Sequence, residues 1–248
     1  MTVSPYWETE GSILRDLMPS LGERFTAGLH FTLTDLKPLT NMPNLAPHGT
    51  FPKLADLLGR AILRRISGDE IAQELNMQID RFEAVMGAPP QYLDGHHHVH
   101  QLPIVREAVI EVARRRLAPD VFFRFCDESA REILRRGVSV PRAIIISMLG
   151  HDFATRARAE GRCGNTGFRG VRDFSADENV AHLFDAYLTD PKPNMMIMCH
   201  PGIDEPAPGI DDEIHARRPE EFAFLGSDAF ADLMARRNVT LVAPGGTS

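Results

Sequence analysis

The densest chemical signal in the chain is Asp94-Gly95-His96-His97-His98-Val99-His100, which holds four of the ten histidines within five positions. Imidazole is the commonest protein ligand for divalent metals and changes charge near neutrality. The run directly follows a short predicted strand, Tyr92–Asp94, and strand ends are where α/β folds place their active sites. Asp94 is well placed to orient a ligating ring from behind, as metal-bound histidines usually require. A solvated loop that merely tolerates polar rings is the plain alternative, and so dense an internal cluster weighs against it.

Three other positions could join this chemistry. His30 sits inside the apolar run Gly28-Leu29-His30-Phe31, where a histidine taken alone is more often a core residue with a satisfied hydrogen bond. His200 follows Met195–Cys199 and precedes Pro201-Gly202, at the C-terminal tip of a strand candidate, a position that favours catalysis over packing. Arg124 lies in the apolar run Val121–Phe125; a buried guanidinium needs an anionic partner, so it is a candidate carboxylate clamp. Arg114, Arg115 and Arg116 read as the solvated face of a helix.

Positioning these residues requires alternating strands and amphipathic segments, the pattern of a mainly parallel sheet covered by helices. Phe25–Thr34 reads as a strand, followed by a loop punctuated by Pro38, Pro43, Pro47 and Pro52. Ser67 and Glu70 form a capping box, and Ile71, Leu75, Ile79, Phe82 and Met86 keep helical spacing until Gly87. Pro103 suits the first turn of a helix showing Val105, Val109 and Val112 on one face. Met195–Cys199 reads as the most clearly buried strand. Ser227 caps a last helix through Arg237, Asn238 ends it, and Val239–Val242 reads as a final strand.

At 248 residues, 43% hydrophobic and 25% charged, the chain reads as one domain over 1–248 with a full core. A net charge of -7 argues against nucleic acid or an anionic membrane as the main partner. Cys126, Cys163 and Cys199 are widely spaced and odd in number, which excludes a disulfide scaffold and fits a reducing compartment. Neither a signal-like start nor an 18-residue apolar run stands out, so the expected location is cytoplasmic.

Taken in order, GLHFTLT with Lys37-Pro38-Leu39, YLDGHHHVHQLP, MCHPG and Arg217-Arg218-Pro219-Glu220-Glu221 resemble the YdjC-like carbohydrate deacetylases, along nearly the whole chain. The resemblance implies an irregular β/α barrel and hydrolysis of an N-acetyl group on an amino sugar or chito-oligosaccharide. It implies a divalent metal, magnesium first and zinc second, held by His30 and His96. His200 would protonate the leaving amine, and Arg124 would steer an active-site carboxylate. Asp94, His98 and His100 would support the ligands or face the substrate, while His97 would face away. An acetylated carbohydrate is the expected partner, and a homodimer is an open expectation.

One departure matters. The family opens with a strand ending in Asp-Asp-Phe-Gly, which supplies a metal-ligating aspartate and the catalytic base. No such tetrapeptide occurs here, so the first β/α unit is expected to be missing. Glu8, Glu10 and Asp16 read as surface helix and not as substitutes. Two imidazoles alone make an incomplete site, so weak metal holding and weak or absent activity are expected of this chain. Two other readings stay open: a non-catalytic sugar-binding or scaffold relative, and a metal-dependent phosphoesterase or amidohydrolase using His96 and His98 as a pair.

Overall fold

The computed structural model describes residues 2–4, 6, 8–22, 25–175, 177–203 and 214–244. The chain gathers into two compact units. The first comprises the described residues of 1–126, 149–165 and 242–248, the second those of 127–148 and 166–241.

In the first unit, β1 (Thr2–Val3), α1 (Glu8–Leu21), β2 (Gly28–Phe31), α2 (Leu54–Ile62), α3 (Gly68–Met86), β3 (Tyr92–Gly95), α4 (Val105–Arg116) and β4 (Phe122–Phe123) follow in order. The strands form one parallel sheet, β1-β2-β3-β4, in which Leu29 lies opposite Leu93, His30 opposite Asp94 and Tyr92 opposite Phe122. Gly28 permits the close approach of β3, because a Cβ there would meet the Tyr92 ring at 2.5 Å.

α3 starts and stops as its residues dictate. Ser67 accepts from the Glu70 N–H, and Gly87 ends the helix in the left-handed region at φ 72°. Its apolar face, Ile71, Leu75, Ile79, Phe82 and Met86, packs into the core with Leu29, Phe31, Leu93 and Phe123, and Val105, Val109 and Val112 of α4 join them. Phe153, Ala154 and Ala157 complete that core from the sequence beyond residue 149.

The expected strand over 25–34 is shorter, and the cause is visible. Thr32 N–H donates to the Gln78 side chain, and Gln78 donates back to Thr32 C=O, so a helix side chain takes the place of the neighbouring strand. The expected strand over 121–125 pairs only at Phe122 and Phe123; Phe125 N–H turns instead to the Asn165 carboxamide. The Pro-punctuated loop carries an unanticipated helix, α2, which buries Leu57 and Ala61.

The second unit contains α5 (Ala130–Arg136), the N-terminal part of α6 (Val140–Ala159), β5 (Phe168–Arg169), α7 (Val180–Tyr187), β6 (Met196–Ile197), α8 (Arg218–Leu225) and α9 (Asp228–Arg236). β5 and β6 pair in parallel. Val180, Leu183, Phe184, Tyr187, Leu188 and Leu233 form its own buried cluster. Two expectations need correction. Met195–Cys199 is not the best-buried strand: only Met196 and Ile197 pair, and both are half-buried, since the described sheet there has two strands. Val239–Val242 is not a strand; after Asn238 turns at φ 51°, Val239 packs against the helical cluster. Ser227 does cap α9, accepting from the Phe230 N–H.

The architecture is therefore mixed α/β with parallel sheets. The pairings of the described residues do not by themselves close a barrel. Among those residues no helix is long and apolar enough to cross a membrane.

Candidate functional site

The register of β2 against β3 builds the centre of the site. His30 and Asp94 are partners across the parallel pair, and His30 Nδ1 lies 2.7 Å from Asp94 Oδ1. The other oxygen, Asp94 Oδ2, accepts from Arg124 Nη1 at 2.5 Å, and Arg124 Nη2 donates to Gly95 C=O at 2.6 Å. Burial pulls the Asp94 carboxyl upward, but Arg124 and His30 outweigh it and hold the group well below the ordinary carboxylate range. The guanidinium expected to need an anion thus has one, and Asp94 stays ionised with both oxygens engaged. An ionised Asp94 takes the Nδ1–H of His30, which leaves His30 Nε2 as a lone-pair donor. Removing one partner of such a buried pair costs roughly 3–5 kcal/mol.

His96–Gln101 form a 3-10 turn broken by two left-handed residues, His97 at φ 49° and His98 at φ 60°. That break sends neighbouring rings in different directions. Gly95 is required beneath the turn, because a Cβ would lie 2.8 Å from His100 Nδ1. His96 Nδ1 comes within 3.3 Å of His30 Nε2, so the two expected ligands converge. On its other side, His96 Nε2 lies 3.9 Å from Asp35 Oδ2, and His97 Nδ1 lies 3.5 Å from the same oxygen. Asp35, His96 and His97 offer three donor atoms within 4.8 Å of one another, a possible metal site of one carboxylate and two imidazoles.

His97 therefore does not face away, as expected from the resemblance. Its Nδ1 also lies 3.0 Å from the Thr34 hydroxyl. Asp35 was missed; the one available signal was its place directly after the GLHFTLT run, at the same strand end as His30. Its second oxygen, Oδ1, pairs with Lys53 Nζ at 2.9 Å.

His98 turns to other company. Its Nδ1 sits 3.3 Å from both Arg124 Nη2 and the buried Cys126 Sγ. A cation placed there would be repelled by the guanidinium, which argues against His96 and His98 as a metal-binding pair.

His100 is fully buried against Phe153, with Nε2 3.0 Å from Arg124 C=O. Burial first and the Arg124 charge second push its imidazole down to about 3. The unfolded chain takes up this proton near pH 6.5, so stability should fall as pH drops from about 6.5 toward 3. Asp94 acts lower, its contribution disappearing below about pH 4 because its folded value is depressed. His100→Gln can still donate to Arg124 C=O and should flatten the upper part of this slope. Urea-melt midpoints between pH 4 and 7 (about the range between the two ordinary values) test it; an unchanged slope would reject this assignment.

His200 belongs to the second unit. Its backbone N–H donates to Glu221 Oε2, and its ring meets the Phe174 ring edge-on at 5.4 Å. Glu221 also accepts from Arg172 at 2.7 Å, and Arg172 stacks over Phe174 at 4.7 Å. This Arg172–Glu221 pair is buried, and it ties the resembling stretch around Glu221 to the His200 segment.

Among known proteins, the chitooligosaccharide deacetylases of Yersinia pestis (strain Pestoides F) and Yersinia pseudotuberculosis (serotype O:1b, strain IP 31758) are each 45% identical over 93 residues. Those residues make up 37% of this chain, and they span 36% of the length of these curated relatives. A solved protein of Enterococcus faecalis V583, provisionally described as a cellobiose-phosphate cleavage protein, superposes with a TM-score of 0.68. The superposition covers 94% of this chain and 81% of that one at 17% identity, a likeness of fold. The YdjC-like protein family model matches residues 1–236, and the chain belongs to that family.

Proposed function

We propose that the chain is a metal-dependent carbohydrate deacetylase that removes N-acetyl groups from an amino sugar or chito-oligosaccharide. The observation that carries this reading is the grouping of Asp35, His96 and His97, whose three donor atoms lie within 4.8 Å of one another, with His30 Nε2 3.3 Å from His96 Nδ1 at the other edge of that ring. Asp35, His96 and His97 are the proposed ligands, with His30 Nε2 at the other edge of the His96 ring. Magnesium is the proposed ion and zinc its rival, since carboxylate and water suit the first and imidazoles the second. The names of the Yersinia relatives support the substrate class.

A divalent cation bound there would lower the pKa of a water and polarise the acetyl carbonyl. The residues do the rest. Asp94 keeps its hold on His30 Nδ1, so Nε2 is presented without a proton. It is a poor choice as base, because Arg124 and His30 occupy both its oxygens. Asp35 is no better placed as base, because Lys53 holds its Oδ1 and the ion would take its Oδ2. A ring nitrogen of His200 is the proposed acid for the leaving amine, which is too basic to depart as an anion. The fold reading that accompanies this is an irregular β/α barrel, supported by the parallel order β1-β2-β3-β4.

Acetate release from N-acetylated chito-oligosaccharides, measured before chelation, after it and after adding back magnesium or zinc, tests the proposal. Release that stops on chelation and returns with one of the ions is expected. Release indifferent to the chelator would sink the metal, and no release with any acetylated sugar would sink the substrate class.

A further inference from the structure

Asp35 sits at the tip of a three-residue turn closed by Leu36 N–H donating to Thr34 C=O at 2.8 Å, with φ at 66°. Turns of this hand are rare and strained, and they persist only where surrounding contacts over-determine them. Lys53 at Asp35 Oδ1, Phe51 N–H donating to Leu36 C=O and the Tyr6 hydroxyl donating to Lys37 C=O contribute, but most of the contacts come from one helix. Before the turn, Gln78 grips Thr32 through both its N–H and its C=O, at 3.0 and 2.8 Å. After it, the Glu74 carboxylate accepts from Leu39 N–H at 3.1 Å, Thr40 N–H at 2.9 Å and the Thr40 hydroxyl at 2.6 Å. Gln78 also donates to Glu74 Oε1 at 2.8 Å, which joins the two grips one helical turn apart. Both side chains are fully buried on α3.

We infer that Glu74 and Gln78 are positioning residues that hold Asp35 against His96 and His97 by clamping the chain on both sides of its turn. This rests on the reading of Asp35 as a ligand. A buried carboxylate among backbone amides is costly to maintain unless every lone pair is used, and here four donors use them. Glu70, one turn earlier, supplies an internal comparison. It accepts from Asn44 N–H, the Asn44 carboxamide and Leu45 N–H, with the same chemistry, but farther along the loop from Asp35. If α3 merely stabilised the loop, Glu70 and Glu74 would be interchangeable in their effect on the site.

Cobalt(II) titrated into the whole chain, read by its visible absorption and by calorimetry, separates these cases. Glu74→Gln replaces an acceptor by a donor facing two amides, so it should weaken cobalt binding by about 10- to 100-fold, the usual effect of losing a group that orients a ligand. It should also change the absorption band shape. Glu70→Gln should lower thermal stability to a similar degree while leaving cobalt affinity and spectrum near wild type. Thr40→Val removes one donor to Glu74 and should shift the affinity in the same direction by less, which keeps the test open if Glu74→Gln does not fold. Unchanged cobalt binding in Glu74→Gln and Thr40→Val, or equal losses in Glu70→Gln, overturns the inference. Asp35→Asn is the arm that tells the two levels apart. If it abolishes tight cobalt binding while Glu74→Gln does not weaken it, only the clamp is wrong; if it leaves binding intact, the ligand reading fails and the clamp with it.

Discussion

On the proposed reading, His96→Ala should weaken the holding of a divalent ion and reduce kcat/KM for an acetylated chito-oligosaccharide by at least about 10²–10³-fold, the scale of losing one charge-stabilising group. His96 is the ring shared by both halves of the site, facing His30 with Nδ1 and Asp35 with Nε2. Its side chain is half-buried, at 35% exposed, so truncation should cost about 1 kcal/mol, the centre for point changes, and leave the chain folded. That separates loss of metal from loss of fold. Metal content after gel filtration, with a thermal melt alongside, provides the measurement. A variant that retains one ion per chain and normal turnover would remove His96 from the site.

On the proposed role of His200, His200→Ala should lower kcat by about 10²–10⁴-fold, the range for removing a general acid, with metal content nearly unchanged. The contact that holds this segment is the His200 backbone N–H to Glu221, which alanine keeps. The loss should therefore report on the ring and not on the segment's placement. The pH–rate profile is the second readout: its alkaline limb, where an acid must remain protonated, should move or vanish. Loss of metal together with activity would instead make His200 a ligand, and unaltered turnover would exclude both roles.

Much of the scaffold was legible locally. The Ser67–Glu70 box, the five apolar residues of α3 and Gly87 describe the helix before any packing is considered, because capping and side-chain spacing act within a few residues. Arg124 announced its own requirement, since a guanidinium in an apolar run must find an anion, and Asp94 is that anion. The histidine run marked the site by density alone. Strand lengths were less legible, because a strand ends where its neighbour stops offering partners. At Thr32 that neighbour is a side chain from α3.

What the sequence determined by itself was the cast: the rings of His30 and His96, the carboxylate behind them, the helix that begins at Ser67 and ends at Gly87, and the family to which the chain belongs. Which ring points where was decided by the tertiary structure. Two consecutive left-handed residues, at His97 and His98, rotate adjacent imidazoles into different surroundings, and no spacing rule anticipates that turn. His97 joins Asp35 for this reason, and His98 is committed to Arg124 and Cys126. Glu74 and Gln78 stand at i+3 and i+7 from Ile71, in register with the apolar face of α3, but nothing in the spacing names the groups they meet. They are buried because the loop after β2 folds over α3 and brings unpaired backbone groups that need acceptors and donors. That demand arises only once distant segments are in contact, and so does the place of Asp35 beside the histidines.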